Sequence, residues 1–218
     1  MKPARIVVID DPVPYNNRHA VRHDGGATRF GIGADGHYGA GVMSELDLVK
    51  LGSAIHSVMA ADGLCFAWST CPNADMHFRI MFSRGFIYTT RAFEWVKTNA
   101  DGTPFFGTGR YTASNVEDLN LWRISKLPLW FPNTGYTPRQ PQLQPHPRKD
   151  GKIIHSRKPE VFQDEIEKWL GPHLEGHSMV ELFATRYRPG WHCLGHSLSG
   201  RDIKDDMADL AKRMYRDG

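Results

Sequence analysis

Cysteine is scarce in this 218-residue chain, and the three present, Cys65, Cys71 and Cys193, are odd in number with no C-x-x-C spacing. A disulfide framework or a zinc knot therefore has no support, and the three read as buried thiols. Long apolar runs are missing too. No stretch approaches the ~20 residues that cross a bilayer, and Lys2 and Arg5 lead into only four apolar residues, too few for a signal peptide. A cytoplasmic protein with no membrane partner is expected. Charge of one sign is also lacking: the net charge is +3 with eleven histidines, so any nucleic-acid surface must come from local clusters of Arg and Lys. His19 and His23 are one helical turn apart, but they stand among Gly, Asn and Arg where no stable helix is expected, so no metal site is assigned. Repeats and charge runs are absent, and the length suits one domain over 1–218.

What is present alternates strand with helix. Residues 5–10 read as a short buried strand, followed by a glycine-rich loop over about 16–41. Ser44 with Asp47 forms a capping box for a helix running to about residue 62, with Leu46, Val49, Ile55, Val58 and Met59 in period. Residues 64–68 form a strand, and Pro72 opens a second helix with Met76, Ile80 and Met81 inward, ending at Gly85, which completes a βαβ unit. Residues 86–97 and 116–124 carry strand signals. Six prolines between 127 and 152 predict a long surface loop beside the cleft. Pro159 at a first helical position predicts a helix with Phe162, Ile166, Trp169 and Leu170 on one face. Strands at 180–184 and 191–194 precede a C-terminal amphipathic helix marked by Ile203, Met207, Leu210, Ala211 and Met214. The pattern is α/β, a doubly wound, mainly parallel sheet with ligands at the carboxyl ends of its strands.

The run Asp10-Asp11-Pro12-Val13-Pro14-Tyr15 closes the first strand. An acid-proline-aromatic turn there suits an exocyclic amine: a carboxylate (Asp11) and a carbonyl (Pro12) accept its two protons while an aromatic ring (Tyr15) holds the base. Asp and Pro are also ordinary turn formers, so the residues alone leave both uses open. Trp95 and Lys97 share one side of an alternating strand, which puts Lys97 on a buried face, an expensive placement unless it is paired, with Glu117 the obvious partner. Tyr38 is either a tether or a base-stacking lid. Lys158 ahead of a helix start is either solvated or opposite an anionic ligand, and Glu181 is either a wet strand end or a buried acceptor. Arg139, Arg148, Lys149, Lys152 and Arg157 make the 139–157 region locally basic.

Five ordered segments carry a resemblance: the 10–15 turn; Tyr38-Gly39 leading to Met43-Ser44; Trp95-Val96-Lys97-Thr98-Asn99 with Gly107-Thr108-Gly109-Arg110-Tyr111 and Glu117; His155-Ser156-Arg157-Lys158-Pro159; and Glu181-Leu182-Phe183-Ala184 with Gly190-Trp191 and Gly195. From about Ile6 to Ser197 the chain resembles the family of the mRNA adenosine N6-methyltransferase catalytic subunit and its bacterial and phage DNA relatives, the MT-A-seventy family. The resemblance implies a Rossmann-like methyltransferase fold with permuted motif order, S-adenosylmethionine as cofactor, and transfer of its methyl group to adenine N6 in nucleic acid, DNA ahead of RNA. It implies catalytic roles for Asp11, Pro12, Pro14 and Tyr15, and cofactor contacts from Asp10, Lys158, Glu181, Phe183, Arg186, His196 and Ser197. Substrate contacts fall to Tyr38, Trp95, Lys97, Tyr111 and Glu117, and a homo- or heterodimer is compatible. Val13 splits the usual adjacent prolines, Thr185 precedes Arg186, and Gly195-His196-Ser197 stands where relatives have Gly-Asn-Glu or Gly-Asn-Gln. These departures favour an alternative, a nucleic-acid-binding pseudomethyltransferase or partner subunit. Cytosine N4 presents a similar amine to the turn.

Overall fold

Four consecutive apolar residues, Ile6 to Ile9, are all β-branched and lie in the first strand, β1 (Lys2–Ile9), each fully buried or nearly so. A strand buried on both faces belongs inside a sheet, and β1 is flanked in parallel by β2 (Met59–Thr70) and β8 (His177–Leu182). Its alternation divides the core: Val7 and Ile9 face one apolar cluster, Ile6 and Val8 the other. The structure is a computed structural model that describes residues 1–13, 42–106, 113–131, 136–154 and 157–216.

The remaining strands are β3 (Ile87–Thr98), β4 (Val116–Arg123), β5 (Pro141–Pro145), the small hairpin of β6 (Arg148–Lys149) and β7 (Lys152–Ile153), and β9 (Trp191–Leu194). The main sheet has the order β5-β3-β4-β2-β1-β8-β9. Only β4 runs against the others, antiparallel to both β2 and β3, while the other four pairings are parallel. The helices are α1 (Glu45–Val49), α2 (Gly52–Val58), α3 (Ala74–Ser83), α4 (Val161–Leu170), the single turn α5 (His196–Ser199) and α6 (Ile203–Arg216). Residues of α1, α2, α3 and α6 pack with Val7 and Ile9 on one face, whereas Phe162, Ile166 and Leu170 of α4 cover the other. The sheet is thus wound on both sides, as alternating strands and helices predict.

Four local expectations are corrected. The helix expected to reach residue 62 breaks at Lys50-Leu51 and ends at Val58, because Met59 pairs with Ala4 and begins a twelve-residue strand. The break resets the helical phase, so Leu48 and Leu51 take the buried positions and Leu46 is exposed. Pro159 precedes the helix start by two residues, and Glu160 is the N-cap of α4. The 127–152 segment is not a structureless loop: β5 adds to the edge of the sheet in parallel with β3, and Asp150-Gly151, both at positive φ, turn the β6–β7 hairpin. Prolines are tolerated in β5 because an edge strand does not need every N–H for its ladder. Finally, Cys65 is buried but Cys71 is exposed.

Candidate active site

The common direction of the strands brings the ends of β1, β2, β3 and β8 to one edge, and the reversal of β4 brings its beginning there as well. The register sets Glu117 beside both Thr70 and Trp95. Lys97, two residues beyond Trp95, then reaches the Glu117 carboxylate at 2.5 Å, the pairing that strand alternation demands. Lys158 approaches the other Glu117 oxygen at 3.1 Å and Asp10 Oδ1 at 3.1 Å. Four charges of alternating sign thus run along the edge: Lys97, Glu117, Lys158 and Asp10. Each ammonium lies over an indole, Lys97 Nζ 5.1 Å from the Trp95 centroid and Lys158 Nζ 5.4 Å from that of Trp68. Burial by itself would raise Glu117, but Lys158 and Lys97 outweigh it and hold the carboxyl at about 2. Asp10 goes the other way: burial raises it, with Lys158 opposing.

Asp11, one residue on, is turned into the protein. Arg84 follows α3, and its two terminal nitrogens donate to the two Asp11 oxygens at 2.8 Å each while its Nε donates to the Leu48 carbonyl at 2.9 Å. The side chains are 0% and 2% exposed, a sealed bidentate pair. The Pro12 carbonyl accepts the Met43 N–H at 2.9 Å, and the Val13 N–H donates to the Asp11 carbonyl at 2.8 Å. The turn is therefore braced against α1 and α3, and the carboxylate facing Lys158 across the cleft is that of Asp10. Trp95, expected to meet substrate, is wholly buried and donates its indole N–H to the Gln144 carbonyl, so it supports Lys97 from beneath.

At the neighbouring strand end, Glu181 accepts a hydrogen bond from Gln163 at 3.2 Å on one oxygen, and its other oxygen has no partner among the described residues. Burial raises its carboxyl above the ordinary range. The chain then turns sharply through Phe183, whose φ of 60° is costly for a residue with a side chain. A Cβ on Gly195 would stand 2.5 Å from the Ala184 carbonyl oxygen, so only glycine lets this turn cross the end of β9. Arg186 pairs with Glu160 at 2.9 Å and donates to the Lys158 carbonyl at 3.4 Å, leaving Nη2 unpartnered among the described residues. Glu181, Arg186 and Gln163 together offer open acceptors and one open donor at the edge where Asp10 and Lys158 stand, a donor set that fits a zwitterionic, cationic ligand such as S-adenosylmethionine.

The structure thus brings together Asp10, Lys97, Glu117 and Lys158, with Glu181 and Arg186 beside them. His196 and Ser197 are not gathered in; both are exposed on α5, and His196 Nδ1 lies 3.3 Å from the Arg201 carbonyl oxygen. Pro14, Tyr15, Tyr38 and Tyr111 lie outside the described residues. Sequence reasoning missed Arg84, Trp68, Gln163 and the polar residues at the end of β2. Only Trp68, at the end of an apolar strand, had a signal that could have found it. Among the described residues no group of three His, Cys, Asp or Glu could hold a metal, and no helix is long and apolar enough to cross a membrane.

A twice-covered sheet with one reversed strand, its charged groups collected at the carboxyl edge, has the form of a Rossmann-like methyltransferase fold. The chain belongs to the MT-A70 family, whose sequence profile matches residues 5–197. It is also similar to the Type II methyltransferase M.MunI of Mycoplasma sp., at 31% identity over 150 residues. That match covers 69% of this chain and 57% of the relative, so the chain spans little more than half of that protein's length.

Proposed function

We propose that this protein is an S-adenosylmethionine-dependent methyltransferase that modifies the N6 amine of adenine in DNA. The observation that carries the reading is the Asp10–Lys158–Glu117–Lys97 network at the carboxyl edge, next to the unfilled hydrogen-bonding capacity of Glu181 and Arg186. DNA is taken ahead of RNA because the relative is a bacterial Type II methyltransferase. Held there by Lys158, Glu181 and Arg186, S-adenosylmethionine would supply an activated methyl group on its sulfonium, with a neutral thioether as the leaving group.

The chain's own residues do the rest. Lys158 would face the donor's carboxylate, Glu181 its amine or ribose hydroxyls, and Arg186 would complete the wall through its open Nη2. Asp10 accepts a hydrogen bond from the target amine, aligning the nitrogen lone pair, and its raised carboxyl can take the proton that the methylated nitrogen sheds. Asp11, clamped by Arg84, fixes the backbone of the corner so that the Pro12 carbonyl meets the base in one geometry. Positioning in a closed polar site supplies the rate, with no covalent intermediate. Tyr15 and Tyr38 remain the proposed aromatic contacts to the base.

The sealing of Asp11 favours a second reading, a pseudomethyltransferase or partner subunit in which the turn serves as structure. Titration of the purified protein with S-adenosylmethionine, followed by mass spectrometry of nucleosides from DNA and RNA incubated with both, separates the two. Transfer to adenine N6 is expected in the wild type, with Asp10→Asn slower by about a hundredfold or more, in line with loss of a positioned acid-base group. An Asp10→Asn protein that methylates at the wild-type rate would remove the assignment, and donor binding without transfer to either polymer would favour the pseudomethyltransferase.

A further inference from the structure

At the end of β2 the chain passes from Thr70 through a tight turn at Cys71–Asn73 into α3, and three polar side chains there have no partner among the described residues. Asn73 is the N-cap of α3, a place where asparagine ordinarily accepts a backbone N–H of the first helical turn. It makes no such bond. Its side chain is instead buried, 7% exposed, with Nδ2 unsatisfied. His77 follows four residues later, on the same side of the helix, 3% exposed with Nε2 unsatisfied. Its ring packs edge-on against Trp122 at 5.9 Å, which accounts for its carbon edge and not for its nitrogen. Thr70 Oγ1 is the third orphan. Buried polar groups without partners are rare in folded proteins, and a cluster of three at one strand end marks a place that a bound group, water or ligand, completes.

All three line the small, open recess that the Asp10-Asp11 corner borders, together with Trp68, Ser69 and Lys158. Its wall at this end carries no net charge. Burial holds the His77 ring down at about 4, so at neutral pH it presents one N–H and one lone pair. The threonine hydroxyl and asparagine amide likewise offer both a donor and an acceptor. The one cation lining the recess among the described residues, Lys158, is paired with Asp10 and Glu117, so a phosphate is poorly served here, whereas an uncharged heteroaromatic edge offers donors and acceptors to match.

We propose that Thr70, Asn73 and His77 form a base-reading subsite, in which the imidazole N–H donates to a ring nitrogen flanking the exocyclic amine, N1 or N7, and the asparagine amide adds a hydrogen bond along the same edge, while Asp10 holds the amine itself. The subsite deepens the methyltransferase reading and rests on it for the identity of the base. It selects an amino group flanked by an acceptor nitrogen, and it rejects guanine, which carries a carbonyl at that carbon.

The test uses the full chain labelled with ¹⁵N-histidine and titrated with 2′-deoxyadenosine, the His77 signal being assigned by its absence in His77→Gln. Deoxyadenosine is expected to move the His77 ring resonances, and replacing N1 or N7 by carbon, as 1-deaza- or 7-deaza-2′-deoxyadenosine, should abolish the response for the nitrogen that is read. Asn73→Ala should weaken nucleoside binding by about tenfold, the worth of one good hydrogen bond, and leave affinity for S-adenosylmethionine within about twofold. No His77 response up to millimolar nucleoside, or equal responses to adenine and both deaza analogues, overturns the subsite even where methyl transfer is measured. A His77 response in a protein that methylates neither DNA nor RNA would instead sink the proposed activity and leave the subsite standing.

Discussion

The two ends of the cleft are built on opposite principles. Where β1, β2, β3 and β4 meet, charge is matched within the protein: Asp11 by Arg84, Asp10 by Lys158, Glu117 by both lysines. Where β8 and β9 end, hydrogen-bonding atoms are left open even though Arg186 pairs with Glu160. Among the described residues, Glu181 and Arg186 each keep an atom without a partner, Gln163 has an open carbonyl, and Phe183 is held at a positive φ. A corner whose charges already hold one another is organised before any ligand arrives, which suits the part of a site that must place a reacting amine. An end with unfilled hydrogen bonds is completed by what binds there, which suits the seat of a dissociable donor.

The largest test of this contrast is Arg84→Leu. The substitution leaves the Asp11 carboxylate buried without the cation that pairs with it, and breaking a buried pair from one side costs about 3–5 kcal/mol. Urea unfolding should show that loss, and the double variant Asp11→Leu/Arg84→Leu should recover much of it, because both desolvated charges are then gone. An Arg84→Leu protein within about 1 kcal/mol of wild type would mean that the corner is not clamped and that the two ends do not differ in kind.

The sequence carried one of these ends further than the other. The buried strand at 6–9, the capping serine, whose Oγ accepts the Asp47 N–H, and the Lys97–Glu117 pair all follow from local rules of period and alternation, and they stand in the structure as expected. The Asp11–Arg84 clamp does not, because its members are 73 residues apart and a charged residue at a helix C-terminus looks like an ordinary exposed cap. Asn73 was hidden for the same reason, as a polar residue where helix caps belong. The β6–β7 hairpin was legible in Asp150-Gly151, a strong two-residue turn signal, and was masked by the prolines around it. At the β8–β9 end, motif order located Glu181 and Gly195 correctly at the strand edge, but only folded geometry shows that α5 holds His196 and Ser197 outward.

Acid sharpens the comparison from the matched side. Glu117 lies at about 2 in the folded protein against an ordinary 4.5, so its ion pairs stabilise the fold fully above about pH 5 and lose that contribution as pH falls from 4.5 toward 2. The amount is on the order of 3 kcal/mol. Asp10 and Glu181, both raised by burial, have the opposite sign: each favours the fold more once protonated. Urea unfolding at a series of pH values should therefore show Glu117→Gln less stable than wild type at pH 6 and converging on it by pH 2. A gap between the two proteins that stays constant across the window would show that Glu117 is not held down by Lys97 and Lys158.

The unmatched side is tested by its ligand. A compound bound only by the folded state at a hundred times its Kd adds about 2.7 kcal/mol, so S-adenosylmethionine should raise the thermal midpoint of the wild type by several degrees. Glu181→Ala should remove most of that rise, since Glu181 carries a charged, buried acceptor atom left open among the described residues. His196→Ala should keep it, since the imidazole is exposed and directed to the Arg201 carbonyl. Scanning calorimetry of the three proteins with and without the donor decides the matter. If His196→Ala loses the rise and Glu181→Ala retains it, the donor lies on the α5 side of the turn, and the open atoms of Glu181 and Arg186 answer to some other partner.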